Sequence, residues 1–141
     1  MPTRHLSLRL DADTFDRIEA QSRQSNQPRS QVVKTLLEEG LRMEAHPGIV
    51  FRSGPAGRRP GLAGGPDVWE VIRVLQGIPE RGEEALRRTA ELAGLVPEQV
   101  RVAVGYYAEF PDEIDEWIQR VEAEALQAEE AWQRAQDILD R

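Results

Sequence analysis

Arg4-His5-Leu6-Ser7-Leu8-Arg9-Leu10 is the stretch that decides the fold. Its polar and apolar residues alternate strictly, which predicts a half-buried β-strand with the three leucines on one face and His5, Ser7 and Arg9 on the other. A lone strand cannot satisfy its backbone hydrogen bonds, and no second strand precedes the helices that follow. We therefore expect its pairing partner to come from a second copy of the chain.

Two amphipathic helices are predicted after this strand. Asp11 is a suitable N-cap for a helix through about Arg23, with Phe15 and Ile18 facing inward. Pro28 is placed to open the second helix, because its missing N–H would lack a partner in the first turn in any case. The apolar residues of the second helix recur at helical spacing: Val32, Val33, Leu36, Leu37 and Leu41.

This order of strand, helix, turn and helix resembles the ribbon-helix-helix (MetJ/Arc/CopG) family of DNA-binding dimers over roughly residues 3–43. The resemblance implies that residues 1–44 form a homodimer, which places an intermolecular two-stranded ribbon in the major groove of a double-stranded DNA operator. The residues that match the base-reading strand positions of that family are His5, Ser7 and Arg9.

The chemistry of these residues suits DNA. Arg9 can make a bidentate contact to guanine, and Ser7 can donate to or accept from either kind of base edge. Arg29 and Ser30, at the start of the second helix, can offer charge and backbone N–H groups to a phosphate, and Arg4 is a further phosphate candidate. The alternative is that the outer face of the strand is merely solvated.

Charge is distributed unevenly along the 141 residues, whose formal net charge is −7. Residues 1–44 carry seven basic and seven acidic side chains, and residues 45–66 carry three basic and no acidic ones. Residues 67–118 carry five basic and twelve acidic side chains, and residues 119–141 carry three basic and six acidic ones. The N-terminal half can therefore approach phosphate, while the acidic C-terminal half would suit a basic partner. Acidic helices that only keep the protein soluble explain the charge equally well.

Several classes of protein are disfavoured by composition. The chain contains no cysteine, which excludes disulfides and thiolate zinc sites. It has no apolar run long enough to span a bilayer and no signal-peptide core, so we expect a cytoplasmic protein with no membrane partner. The two histidines have no spaced ligand set, and the acidic residues at 112–116 lie in one turn, so we expect no enzyme activity, no metal and no cofactor.

Residues 45–66 are rich in glycine and proline and predict a short hairpin that opens a second domain. Residues 49–52 form its first strand, and a candidate return strand begins at 58–59. Arg52, Arg58 and Arg59 are a candidate second contact to DNA, although arginines on an exposed loop are commonly only solvated. The glycines lack the spacing of a P-loop or a dinucleotide-binding fold, so we do not expect nucleotide binding.

Residues 67–111 predict a small domain of three short helices. The second and third, at 83–93 and 97–109, have the lengths of a helix-turn-helix. The third helix carries only Arg101 as a cation, which argues against its reading DNA.

Residues 46–118 also resemble the family catalogued as domain of unknown function number 433. The resemblance rests on Gly48-Ile49-Val50-Phe51 with Gly57-Arg58-Arg59, on residues 95–100 and above all on Tyr106-Tyr107-Ala108-Glu109-Phe110-Pro111-Asp112-Glu113-Ile114-Asp115. It implies the antitoxin of a two-gene toxin–antitoxin pair, often beside a PIN-like nuclease. The sequence departs from that family at Val96, where a Ser or Thr would cap the third helix.

Residues 112–141 predict one long amphipathic helix. The residues of its narrow apolar stripe follow one another at spacings of four or three: Trp117, Val121, Ala125, Ala128, Trp132, Ala135 and Leu139. The stripe can be covered by its own domain, by the other subunit or by a different protein. We favour a different protein, because Trp is a common interface anchor and the surrounding glutamates would complement a basic surface.

Together these patterns predict a mainly α protein with a short N-terminal β-strand. The predicted architecture is a ribbon-helix-helix dimer, a small β-hairpin and three-helix domain resembling a helix-turn-helix, and a long C-terminal helix. The expected function is that of a type II antitoxin, which represses its own operon and neutralises a PIN-like nuclease toxin. The alternatives are a stand-alone ribbon-helix-helix transcriptional regulator that oligomerises through its C-terminal domain, and a structural adaptor.

Overall fold

The computed structural model describes residues 2–141, which are mainly helical, as predicted. The elements follow one another in the order α1 (Ala12–Ser25), α2 (Arg29–Ala45), β1 (Ile49–Arg52), β2 (Arg59–Leu62), α3 (Val68–Gln76), α4 (Gly82–Ala93), α5 (Pro97–Glu109) and α6 (Pro111–Leu139). The chain divides into two compact units, Met1–Arg42 and Met43–Arg141.

The first unit contains α1 and most of α2. Helix α1 follows Asp11, whose backbone is extended, and ends at Asn26 in the left-handed region with φ of +52°. That conformation lets the Asn26 N–H bond the carbonyl of Arg23 and closes the helix. The predicted break lies in the same place, and the Pro28 carbonyl accepts the N–H groups of Gln31 and Val32 as α2 begins.

The first unit leaves most of its apolar side chains exposed in the single chain. Helix α1 contains no buried residue, and Phe15, which the sequence places inward, is 42% exposed. Leu36, Leu37 and Leu41 on α2 are also exposed. A segment of this size is too small to enclose a core by itself. A core shared between two copies stays a prediction.

The second unit opens with the predicted hairpin, which is confirmed. Strands β1 and β2 pair antiparallel, with Ile49 opposite Leu62 and Arg52 opposite Arg59. Gly48 precedes β1 with φ of +99°, a conformation that favours glycine. A Cβ at Gly48 would lie 3.3 Å from Val102 Cγ1, so the missing side chain also lets the hairpin approach α5 closely.

The three predicted short helices are present as α3, α4 and α5. Helix α4 ends at Gly94, which is left-handed with φ of +69°, and the Leu95 N–H bonds the Ala90 carbonyl at 2.8 Å. Helix α5 begins at Pro97, as the sequence predicts. Val96 provides no side-chain acceptor for this helix, but the Gln99 side chain accepts the Val96 N–H at 3.0 Å.

Helix α6 follows α5 after the single residue Phe110 and runs without a break to Leu139. Helix α3 packs against α4, α5, α6 and β2, and therefore lies centrally in the second unit. One apolar core joins the hairpin, the three short helices and the first turns of α6: Ile49, Leu62, Val68, Val71, Ile72, Leu86, Ala90, Val100, Ala103, Tyr106, Ile114 and Ile118.

Candidate nucleic-acid and partner interfaces

The segment that precedes α1 carries the predicted base-reading residues. Residues 2–11 lie in no helix or strand of the single chain, and the polar side chains His5, Ser7 and Arg9 are exposed. His5 Nε2 and Ser7 Oγ are 2.7 Å apart, so these two side chains lie on the same side of the backbone. Leu6 and Leu8 are 74% and 57% exposed. The predicted strand requires a second copy and stays a prediction.

The start of α2 carries the predicted phosphate contacts. Arg29 and Ser30 are exposed and line an open hollow of about 550 Å³ together with Pro28 and residues of α1. The first N–H groups of a helix have no intrahelical acceptor and favour an anion nearby. Arg29 lies 3.1 Å from Glu19 and 5.1 Å from the centre of the Phe15 ring. A phosphate at this place would compete with Glu19 for the guanidinium.

The hairpin arginines have a different environment from the one that the sequence suggests. Arg52 donates to Asp67 Oδ1 at 2.9 Å and to the carbonyls of Leu62 and Gly65, and Arg59 donates to Asp67 Oδ2. The Asp67 side chain is only 9% exposed. Arg52 and Arg59 thus hold the hairpin against the start of α3, which gives them a structural role. The candidate second DNA contact is weakened at these two positions.

Arg58 is the remaining member of that candidate contact. It is exposed beside the turn of the hairpin and donates to Ser53 Oγ at 2.9 Å. Its position leaves it accessible to a ligand, but one arginine on a turn does not make an interface.

Helix α5 carries a single cation, Arg101, where a recognition helix would present several. Arg101 lies in α5 and donates to both carboxylate oxygens of Glu83, at 3.0 and 2.9 Å. This hydrogen bond and the charge of Glu83 raise the pKa of Arg101. Glu98 and Glu109 are exposed on the same helix. These contacts agree with the sequence argument against DNA reading by α5.

The Tyr-Tyr motif joins α5 to α6. Tyr106 is fully buried, and its hydroxyl donates to Glu113 at 2.8 Å. The Tyr107 hydroxyl donates to Asp115 at 2.6 Å, and Gln76 of α3 donates to the same hydroxyl at 3.3 Å. The hydrogen bond to Asp115, together with burial, raises the pKa of Tyr107. The motif that carries the second resemblance therefore acts here in packing.

Helix α6 changes its environment along its length. Ile114 and Ile118 are buried in the core, and the predicted partner residues Trp117 and Val121 are half-buried. The rest of the predicted stripe is exposed: Ala125, Ala128, Trp132, Ala135 and Leu139. Trp132 and Leu139 are 61% and 75% exposed. The far part of the helix thus has an apolar face that the second unit does not cover.

Sequence reasoning missed two features of this unit. The role of Asp67 was not recognised, although Asp67 and Glu70 have the spacing of a capping box, and Glu70 does accept the Asp67 N–H at 2.8 Å. The predicted apolar stripe of α6 starts at Trp117 and omits Ile114 and Ile118, which are the residues of this helix that are buried in the core. Extending the same spacing of four and three backward from Val121 would have found both isoleucines.

Comparison with known proteins adds no assignment: no family model, no curated protein and no solved structure matches the chain. None of the helices within residues 2–141 combines the length and the apolar character that crossing a lipid bilayer requires. In the same part of the chain, no group of three or more His, Asp or Glu side chains is arranged to hold a metal ion.

Proposed function

We propose that the protein is the antitoxin of a type II toxin–antitoxin pair. A homodimer formed through residues 1–44 binds operator DNA with its ribbon and represses its own operon, and the C-terminal region neutralises a PIN-like nuclease. The observation that carries the proposal is the uncovered apolar face of α6, which continues for about five turns beyond the core at 3.6 residues per turn. DNA binding through the first unit does not require such a face.

The exposed leucines of the first unit support the dimer. Leu6, Leu8 and Leu10 alternate with polar residues and are 74%, 57% and 41% exposed. The strand and helices of a second copy would cover them, which also completes the backbone pairing of residues 4–10. The polar side chains between these leucines then share the outer face of the ribbon.

The DNA part of the proposal is tested by gel shift on the DNA upstream of the gene. We expect Arg9→Ala to weaken binding by about ten-fold or more at fixed salt, because a bidentate guanine contact is worth about 1–3 kcal/mol. Arg17→Ala is the matched control, since Arg17 is an exposed arginine of α1 outside the predicted interface. Equal binding by Arg9→Ala and the wild type would reject the ribbon assignment.

The antitoxin part is tested by co-expression with the neighbouring reading frame. We expect a small protein to co-purify with the wild type and to be lost with Trp132→Glu. A point variant is preferable to a chain that ends before α6 leaves the bundle, because truncation at Asp115 would remove the buried Ile118. Operator binding without any co-purifying protein would favour the stand-alone regulator.

A further inference from the structure

The apolar face of α6 is one continuous seam that begins inside the core. Ile114 and Ile118 are followed at spacings of three and four by the exposed residues, and this average spacing of 3.5 keeps them all on one side of the helix. The seam therefore passes from a buried environment to an open one at Val121. Its open part, residues 121–139, is about 27 Å long at 1.5 Å per residue.

Within residues 121–139, the α6 residues that carry charge beside the seam have one sign. At 100° per residue, Glu124, Glu129 and Glu122 lie within about 100° of the midline of the seam. Arg134 lies about 140° away, on the far side of the helix. Arg120, before the open part, lies 4.8 Å from the centre of the Trp117 ring. Within residues 121–139 of α6, the charged residues that flank the seam are thus acidic, while Arg120 lies at a similar angle just before them and Arg73 of α3 lies 3.9 Å from Glu122.

This charge pattern selects among possible occupants. A second copy of α6 would place the same glutamates beside one another, whereas paired helices usually carry opposite charges at these flanking positions. A partner with basic flanks would instead make favourable pairs. Ala125, Ala128 and Ala135 keep the seam shallow, so large side chains of a closely packed helix can fill it. Trp132 then needs a small residue opposite it.

Helix α3 lies beside the start of the open seam. Gln76, at the end of α3, and Asp115, near the start of α6, both form hydrogen bonds with the Tyr107 hydroxyl. Arg73, one turn earlier in α3, lies 3.9 Å from Glu122, which is farther along α6. Helix α3 therefore runs antiparallel to α6, and its first turn points along the open seam.

We infer that residues 121–139 of α6 bind one basic amphipathic helix of the partner protein. The inference rests on the proposed function only in taking α6 as the element that binds the partner. The partner must therefore supply a helix with an apolar face and basic flanks.

The test measures fluorescence anisotropy of labelled synthetic helical peptides on the full chain. The peptides are about 20 residues long to match the open seam. One carries a leucine seam with a small residue opposite Trp132 and lysines on its flanks, and the other has glutamates on the same flanks. The protein variants are Glu124→Lys/Glu129→Lys and the control Glu130→Lys/Asp137→Lys, which changes the net charge equally on the far side of the helix.

We expect the basic peptide alone to bind. Its affinity should fall by about ten-fold in the flank variant, which corresponds to about 1.4 kcal/mol, and should stay within about two-fold in the control. Trp132→Ala should also weaken binding.

The inference is overturned if the basic peptide does not bind, if the acidic peptide binds as well, or if both charge variants lose affinity equally. Sedimentation equilibrium supplies a separate check, because a lower mass of Trp132→Ala without peptide would place a second copy on the seam. Retained nuclease neutralisation by the flank variant would reject this inference while leaving the proposed function in place.

Discussion

At the scale of single residues, Asp67 joins the hairpin to α3. Its carboxylate accepts hydrogen bonds from Arg52 and Arg59, and Trp69 Nε1 donates to it at 3.2 Å. We expect Asp67→Asn to lower the free energy of unfolding by about 2 kcal/mol, because two partly buried guanidinium groups lose their counter-charge. Urea denaturation of the full chain, followed at the transition of the second unit, measures this change.

The matched control for Asp67→Asn is Glu130→Gln, which removes one carboxylate charge from an exposed site on α6. Surface substitutions of this kind usually change stability by less than about 0.5 kcal/mol. Equal effects of the two substitutions would show that Asp67 does not hold the hairpin.

The environment of Tyr107 predicts that the free energy of unfolding depends on pH. Its hydrogen bond to Asp115 and its burial raise its pKa above the ordinary value of 10.0, so the folded state favours the neutral phenol. The resulting stabilisation is fully present below pH 10 and is lost as the pH rises through the raised pKa of the folded state. We expect Tyr107→Phe to cost about 1 kcal/mol near neutral pH and progressively less in alkali.

Urea denaturation of both proteins at about pH 8 and about pH 11 measures this difference, which follows from the shift in pKa. The two proteins differ only at Tyr107, so the difference between them isolates this residue. A constant difference between wild type and Tyr107→Phe across this range would contradict the assignment.

At the scale of elements, two glycines of the second unit predict opposite effects. Gly48 has φ of +99°, and a Cβ there would lie 3.3 Å from Val102, whereas a Cβ at Gly105 in α5 would meet open space. We expect Gly48→Ala to lower the free energy of unfolding by about 1–2 kcal/mol, because alanine would strain the backbone at this positive φ. Gly105→Ala should stabilise by about 0.5–1 kcal/mol, because alanine favours a helix. Thermal melts of the two variants would contradict this if both shift in the same direction.

Most element boundaries were predictable because their signals are local. Pro97 and the apolar spacing after it predict α5, and the glycine-rich turn predicts the hairpin. The environment of Arg52 was not predictable, since it depends on Asp67, 15 residues away along the chain. The spacing on α6 fixed which residues share a face, but only the packing of α3 decides that Ile118 is buried and Trp132 is not.

At the scale of the whole molecule, the first unit predicts a stability that depends on protein concentration. A segment that covers its leucines only in a dimer gains stability by mass action. We expect the melting temperature to rise as the concentration of the wild type rises. Leu8→Glu should remove this dependence, because it places a charge among the leucines of the predicted strand. A melting temperature independent of concentration in the wild type would contradict the dimer.

The candidate DNA residues were chosen from a strand that the single chain does not form. His5 and Ser7 already lie on the same side of the backbone in the single chain. A ribbon face that also includes Arg9 requires residues 4–10 to be extended and paired, and the pairing depends on another chain. The predicted partner surface on α6 needed no second molecule to define it. Its exposure is a property of this fold, although what covers it stays a proposal.

Helix α6 is anchored at one end only, and this has a consequence for amide hydrogen exchange. Its first turns share the core through Ile114 and Ile118, whereas the rest of the helix lacks the tertiary packing that supplies most of the stability of a helix in a protein. Exchange protection should therefore decline along α6 from Val121 towards Leu139 and be lowest in the last turns. A bound partner would raise protection in this part of α6 most.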